Sequence, residues 1–332
     1  MSRKRPAHRQ KQVQQKELSD SAAIKPGLVV VSYGAKQDVE DENGNIIRCS
    51  SRRKFGAVVC GDQVTWQPTH DNEGIIVEVL PRSTLLARPD DIGRDKPIAA
   101  NISRIIIVCT VKALADENYH LHHNLIDRYI VAAESLNITP VIVLNKYDLL
   151  SEAELDKLNQ DMQPYQNIGY QMIYTSTKQE RGLEQLTQQL QDQTSVFVGE
   201  SGVGKSSIIR RLLLGDVSDH EIRVGEVSAS SGKGKHTTTS TTLYHLSSGG
   251  NLIDSPGVRE FGLSKIEPAM LAFNFIEFRP YTSLCKFNNC IHKSEPQCAV
   301  KQAIKDGEID RRRYDNYLAI LVSLQEQVNL FQ

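Results

Sequence analysis

The chain has 332 residues, of which 39% are hydrophobic and 24% charged, and its formal net charge is −1. Compact domains usually hold about 100 to 150 residues, so several domains are expected. No uninterrupted apolar stretch approaches the roughly 20 residues that span a bilayer, and the first residues lack the apolar run of a secretory signal, so we expect a cytoplasmic protein without a membrane segment.

The N-terminal segment, residues 1–24, is predicted to be a disordered basic tail. Six lysines and arginines precede its first acidic residue, Glu17. Polar segments of this kind are usually solubilising extensions. A basic segment also suits contact with nucleic-acid phosphates, and the sequence leaves both interpretations open.

Residues 25–100 are predicted to form an OB-like β-barrel. Short apolar runs that begin at Gly27, Val58, Val64 and Ile75 are separated by turn residues. About five strands in roughly 75 residues are typical of a small closed barrel. Barrels of this type often bind oligonucleotides, but the strand count fits other small barrels as well.

Residues 101–261 are predicted to form one α/β nucleotide-binding domain. Apolar strands alternate with longer amphipathic segments, which indicates a parallel sheet covered by helices. The apolar strand segments are 105–109, 141–144, 172–174, 195–198, 243–246 and 252–253.

Two loops in the first half of this domain have the residues of a guanine site. The first directly follows the strand 141–144 and matches Asn-Lys-x-Asp: Asn145, Lys146, Tyr147 and Asp148. Its aspartate would accept two hydrogen bonds from the guanine edge, a donor pair that adenine lacks. The second follows the next strand and matches the short loop that closes over the base: Ser176, Thr177 and Lys178.

A phosphate-binding loop is predicted between the strand 195–198 and a helix that begins near Ser207. It matches Gly-x4-Gly-Lys-Ser/Thr with these residues: Gly199, Glu200, Ser201, Gly202, Val203, Gly204, Lys205, Ser206 and Ser207. Glycines let backbone amides approach the phosphates, Lys205 would reach the β- and γ-phosphates, and the Ser206 hydroxyl would bind Mg²⁺. A chance glycine-rich turn is the alternative, which the strand and helix on either side disfavour.

Two further elements complete the set expected of a GTPase. Asp254 ends an apolar strand and, with Gly257, matches Asp-x-x-Gly, in which the carboxylate supports Mg²⁺ and the glycine amide meets the γ-phosphate. The threonine run before that strand offers hydroxyls for Mg²⁺, and Thr238 is our candidate among residues 237–239.

The order of these elements is the most informative feature of the sequence. GTPases usually run from the phosphate loop through the switch threonine and Asp-x-x-Gly to the two base loops. Here the base loops come first, while the cyclic order is kept. We therefore predict a circularly permuted GTPase.

Residues 262–332 are predicted to form a mostly helical zinc-binding domain with a C-terminal helix. Four residues supply a Cys3His set, which is typical of a closed structural Zn²⁺ site: Cys285, Cys290, His292 and Cys298. Buried thiols that cluster by coincidence are the alternative. The run from Arg311 to Arg313 fits either a solvated face or a second basic contact.

A barrel, a permuted GTPase and a Cys-x4-Cys-x-His-x5-Cys module in this order closely resemble the RsgA (YjeQ) family of bacterial GTPases of small ribosomal subunit biogenesis. The resemblance covers nearly the whole chain. It implies a monomer that docks on the small subunit late in maturation, contacts 16S rRNA through its flanking domains, and leaves after hydrolysing GTP to GDP.

Val258 stands where many GTPases have a glutamine that orients the attacking water. We therefore expect slow intrinsic hydrolysis, with docking on the ribosome bringing another polar group to the water. His236 is our hypothesis for that group, although it fits a switch anchor as well. Two other functions are possible from parts of the sequence. A kinase of small molecules is disfavoured by the guanine loop. A nucleic-acid-binding module with a vestigial nucleotide site is disfavoured by Lys205, Ser206 and Asp254.

Overall fold

The computed structural model describes residues 23–69, 73–89, 94–111, 119–214, 241–254 and 266–330. The basic tail up to residue 22, His236, the threonines 237–239, Gly257 and Val258 lie outside the described residues.

The N-terminal strands close into the expected OB-like barrel. They are β1 (Lys25–Ser32), β2 (Lys36–Glu40), β3 (Ile46–Ser51), β4 (Gln63–Pro68) and β5 (Glu73–Val79). The strand order is β1-β2-β3-β5-β4, and β4 pairs back onto β1. Alternate side chains point inward, so that Val29, Val39, Val64, Trp66 and Ile76 form a buried core.

Residues 58–60 do not form the predicted strand. The Asp62 carboxylate accepts a hydrogen bond from the Val59 backbone at 2.8 Å and is itself bound by Arg82. The carboxylate thus provides the hydrogen-bond partner that the Val59 N–H would otherwise find in a neighbouring strand. Of residues 58–60, Cys60 alone pairs with another strand, through one bridge to Ala99. Ala99 belongs to a separate hairpin of β6 (Leu85–Pro89) and β7 (Asp95–Ala100).

The central domain is a six-stranded, mostly parallel sheet. Its strands are β8 (Arg104–Cys109), β9 (Thr139–Asn145), β10 (Gln171–Thr175), β11 (Thr194–Val198), β12 (Thr241–His245) and β13 (Asn251–Asp254), in the order β10-β9-β8-β11-β13-β12. Only β12 runs antiparallel to its neighbour in this domain. The described helices are α1 (His123–Ser135), α2 (Glu152–Ile168), α3 (Leu183–Leu190) and α4 (Lys205–Leu214).

The barrel and the central sheet are joined edge to edge. Strand β1 pairs antiparallel with β12, with Val31 opposite Thr242 and Ser32 opposite Thr241. His245 of β12 also contacts Glu40 of β2, its Nε2 lying 2.5 Å from the carboxylate. One continuous sheet therefore runs through both domains.

The C-terminal domain is mostly helical. It contains two 3₁₀ turns (Pro268–Asn274 and Ile276–Phe278), α5 (Arg279–Thr282), α6 (Ala299–Lys305) and α7 (Arg311–Leu330). Phe275, Phe278, Tyr317 and Leu321 lie at the centre of its core. Across the described part of the chain, no helix combines the length and apolar character needed to cross a bilayer.

The three consecutive arginines of α7 differ in exposure, and for Arg313 neither surface interpretation holds. The Arg313 side chain is 1% exposed and binds Asp127 of α1 and Glu277. Arg312 binds Asp161 of α2 at 2.9 Å. Only Arg311, paired with Asp315, is well exposed. Most of this basic run joins α7 to the central domain.

Candidate nucleotide site and metal site

The phosphate loop, residues 199–206, connects β11 to α4 at the carboxyl edge of the sheet. Gly199 has φ 135°, and a Cβ there would lie 2.1 Å from the Val108 carbonyl oxygen. At Gly204, with φ 101°, a Cβ would lie 2.3 Å from Asn145 Nδ2. Both positions require glycine, because any side chain would collide with a neighbour and strain the backbone.

The charged groups of this loop suit an anion. Lys205 Nζ donates to the carbonyls of Gly199 at 2.7 Å and Glu200 at 2.6 Å, which keeps the ammonium within the curve of the loop. Lys205 and the exposed Ser206 begin α4, where helix N–H groups and the helix dipole favour negative charge. The arrangement can therefore bind a phosphate chain.

The loop after β9 is hydrogen-bonded to the phosphate loop. Asn145 is buried and donates from Nδ2 to the Val203 carbonyl at 2.8 Å. Lys146, in the left-handed region at φ 60°, donates from Nζ to the Gly202 carbonyl at 2.7 Å. Two motifs more than 50 residues apart in the chain thus form a single site.

The base loop after β10 has a fixed backbone. Ser176 is buried and exchanges backbone hydrogen bonds with Arg181 at 3.0 and 3.2 Å. Thr177 is partly exposed and Lys178 is exposed, on the same edge of the sheet as the half-buried Asp148. Asp254 is exposed at the end of β13, also at this edge. The described candidate residues therefore gather at the carboxyl ends of neighbouring strands.

Two supporting residues were missed by the sequence analysis. Thr175 donates from Oγ1 to Asn145 Oδ1 at 3.1 Å and so orients that amide. Tyr129 of α1 is buried and lines the same small cavity as Gly199, with its hydroxyl in position to accept a hydrogen bond from the Gly199 backbone. Burial raises the pKa of Tyr129, so its hydroxyl stays protonated. Thr175 could have been predicted as a site residue, because it is a polar residue at the end of a buried strand. Nothing in the sequence around Tyr129 distinguishes it from an ordinary core residue.

The four C-terminal candidates form one compact group. The ligand atoms of Cys285, Cys290, His292 and Cys298 all lie within 4.8 Å of one another. His292 Nδ1 is 3.3 Å from Cys298 Sγ and 3.5 Å from Cys285 Sγ, and those two sulfurs are 3.9 Å apart. The edges of a tetrahedral Zn²⁺ site measure about 3.3 to 3.8 Å, so the separations among Cys285, His292 and Cys298 are close to those of such a site.

Groups outside this cluster fix its backbone. Tyr314 and Tyr317 of α7 donate to the carbonyls of His292 at 2.7 Å and Ile291 at 2.6 Å. The Glu295 carboxylate accepts from the backbone of Ile291 and from two further amides of the loop. Burial raises the pKa of Cys290 to about 12, a tendency that a bound cation would oppose. The cluster can therefore hold a metal on a preformed backbone.

Relatives resemble the chain over almost its full length. The family model described as RsgA GTPase matches residues 79–264. A protein of Hahella chejuensis named small ribosomal subunit biogenesis GTPase RsgA is 46% identical over 310 residues, which cover 92% of this chain and 86% of the relative. A protein of the same name from Chromohalobacter salexigens is 47% identical over 312 residues, covering 93% and 88%.

Solved structures extend the likeness to the fold. YjeQ from Thermotoga maritima superposes with a TM-score of 0.73 at 32% identity, covering 91% of this chain and 99% of that one. YloQ, described as a circularly permuted GTPase, gives a TM-score of 0.71 at 30% identity, covering 92% and 96%. Both cover more than nine-tenths of the chain, so the likeness is not confined to the central domain.

Proposed function

This chain belongs to the RsgA GTPase family, and on that premise we propose that it hydrolyses GTP as a late maturation and release factor of the small (30S) ribosomal subunit. In this proposal the flanking domains bind 16S rRNA, the subunit stimulates hydrolysis, and the protein acts as a cytoplasmic monomer.

The observation that carries the proposal is the direct bonding of Asn145 and Lys146 to the phosphate loop. These contacts support the proposal that guanine and phosphate recognition belong to one site despite their reversed order in the chain. Asp148 would accept the two guanine donors, and residues 176–178 would close over the base. Residues 199–207 would surround the phosphates.

A hydroxyl and a carboxylate are the ligands that Mg²⁺ prefers, and Ser206 with Asp254 would supply them. The ion, when bound, would neutralise charge on the phosphate oxygens. Lys205 would add positive charge at the β- and γ-phosphates. We further assign Thr238 to the metal and the Gly257 amide to the γ-phosphate, from their places in the sequence.

We assign Zn²⁺ to the C-terminal cluster. Three thiolates and one imidazole are the donors that this ion favours over Mg²⁺ or Ca²⁺. All four protein ligands would be used, which leaves no open position, so the role is structural. Cys285, Cys290, His292 and Cys298 would then close the loop that precedes α6.

The barrel has features that suit RNA. Arg52, Arg53 and Lys54 are consecutive exposed cations after β3. Tyr33 is 49% exposed, with the Arg48 guanidinium 4.8 Å from its ring centre. Exposed aromatic and guanidinium groups offer stacking surfaces to unpaired bases, and the cations offer contacts to phosphates.

Hydrolysis is proposed to await the ribosome, since Val258 has no polar group to orient water. We keep His236 as the hypothesis for the group that docking brings to the water. His236→Ala should then lose stimulation by small subunits and retain its affinity for GTP. Equal stimulated turnover in the variant would remove His236 from the mechanism.

One assay tests the whole proposal: turnover of GTP and ATP by the purified chain, with and without purified small ribosomal subunits. We expect slow turnover of GTP alone and strong stimulation by the subunits, with ATP not used. Preference for ATP would favour a kinase-like function, and RNA binding without turnover would favour a vestigial nucleotide site.

A further inference from the structure

Helix α1 is shared by two hydrophobic cores. Ile126, Tyr129 and Ile130 pack into the core of the central sheet. Val131 and Ala132, on the other side of the helix, pack into the core of the C-terminal domain. The helix thus separates the nucleotide-binding domain from the C-terminal domain and contacts both.

The side of α1 that faces the C-terminal domain is held by buried polar contacts. Asp127 is fully buried and accepts hydrogen bonds from Arg313 and Asn316 of α7 and from Tyr165 of α2. Arg128 donates to Ser323 of α7 at 2.8 Å. Buried charges that are paired and hydrogen-bonded tolerate little displacement, so α7 fixes the position of α1.

The opposite side of α1 contacts the phosphate loop. The Tyr129 side chain lines the same small cavity as Gly199, the first residue of the loop, with its hydroxyl in position to accept a hydrogen bond from the Gly199 backbone. At the start of the helix, His122 Nε2 lies 3.6 Å from the Glu200 carboxylate. Because hydrogen-bond energy falls steeply as distance and angle depart from their optimum, a small displacement of α1 should weaken the contact between Tyr129 and Gly199.

We propose that Asp127 and Arg313 are positioning residues for the nucleotide, which set the phosphate loop through α1 and the Tyr129 hydroxyl. The inference rests on the proposed nucleotide site and adds a route by which the C-terminal domain tunes it. Asp127 and Tyr129 are two residues apart on the helix and so point in nearly opposite directions. A shift at one side of this packed helix is therefore transmitted to the other.

The test is a double-mutant cycle on the full chain, with the dissociation constant for GDP measured by calorimetry in the presence of Mg²⁺. Tyr129→Phe removes only the hydroxyl at Gly199. Arg313→Lys keeps the charge but loses the fork that reaches Asp127 and Glu277 together. We expect each change to weaken GDP binding about two- to tenfold, the range of one hydrogen bond.

The double variant Tyr129→Phe with Arg313→Lys should have the same GDP affinity as whichever single variant binds GDP less tightly. Both changes act through the contact between Tyr129 and Gly199, so their effects should not add. Asp127→Asn is a milder change in the contact between Asp127 and Arg313, and it should also weaken GDP binding. Thermal unfolding of each variant shows that it is folded.

Two controls separate positioning from general loss of stability. Arg311→Lys changes an exposed arginine of the same helix, and Tyr281→Phe removes a hydroxyl that bonds Glu308 instead of the phosphate loop. Both should bind GDP as the unchanged chain does. Unchanged GDP affinity in folded Tyr129→Phe, or effects that multiply in the double variant, would overturn the inference. If the unchanged chain bound no GDP, the proposed nucleotide site itself would be wrong.

Discussion

Asp148 is the residue to which we assign nucleotide specificity. It lies half-buried in the 3₁₀ turn Tyr147–Leu149, three residues after the buried Asn145. Asp148→Asn replaces two acceptor oxygens by one oxygen and one NH₂ group. Guanine then loses one hydrogen bond, and one of its N–H donors faces another donor. We expect the preference for GTP over XTP to fall by about 100-fold or more.

Competition binding with GTP, XTP and ATP measures this change. Asp156→Asn, an exposed acid on α2, is the matched control and should leave the preference intact. An unaltered preference in Asp148→Asn would show that another group reads the base.

His123 gives the contact between α1 and α7 a dependence on pH. Burial, followed by the nearby Arg312 guanidinium, lowers the pKa of His123 from 6.5 to about 4. The other groups that face it are Asp161, Asp310, His120 and Tyr165. The unfolded chain binds this proton more readily than the folded one, so stability falls as the pH falls from about 6.5 to about 4.

Urea denaturation at several pH values between 4 and 7 measures this contribution. His123→Gln cannot be protonated and can still accept from Arg312, so it should lose less stability over that range than the unchanged chain. His120→Gln, at an exposed position, should follow the unchanged chain. An identical pH dependence in His123→Gln would assign the acid sensitivity to other groups.

At the scale of elements, the packing of α7 on α1 depends on a buried ion pair. Burial raises the pKa of Asp127, and the Arg313 guanidinium opposes that rise. Arg313→Met leaves the carboxylate buried without its cation and should lower the free energy of unfolding by about 3 to 5 kcal/mol. Circular dichroism in a urea titration gives the measurement.

Adding Asp127→Asn to Arg313→Met should restore part of that loss, because one of the two carboxylates left without a cation is then neutral. Arg311→Met, in an exposed pair on the same helix, should change stability by no more than about 0.5 kcal/mol. A loss in Arg311→Met as large as that in Arg313→Met would mean that helix content, not the ion pair, was responsible.

The sequence predicted those elements whose signals are local. Each nucleotide motif follows an apolar run, and the strand that it predicts is present, as β9 and β11 show. The burial of Arg313 could not be predicted from the sequence, because its partners Glu277 and Asp127 are 36 and 186 residues away in the chain. The strand expected at residues 58–60 failed since Asp62 satisfies that backbone locally. The domain boundaries at 24, 100 and 261 stay predictions.

At the scale of the whole molecule, α7 contacts both the loop of the metal cluster and the central domain. Removing Zn²⁺ with a chelator should free the loop that Tyr314 and Tyr317 hold, loosen the C-terminal core, and lower the midpoint of thermal unfolding. Elemental analysis should find one zinc ion per chain.

Cys285→Ser should lose the zinc ion, whereas Cys109→Ser, at a cysteine outside the cluster, should retain it. A metal-free preparation with an undisturbed C-terminal domain would contradict the structural role of the ion.

The pairing of β1 with β12 has a consequence for synthesis on the ribosome. Strand β12 would otherwise be the open edge of the central sheet, and open edges invite pairing between chains and aggregation. Strand β1 leaves the ribosome first, and β12 follows about 200 residues later, or on the order of 10 to 40 s at typical rates. The barrel can thus fold before β12 emerges, so that β1 pairs with the edge strand β12 as soon as the central sheet forms.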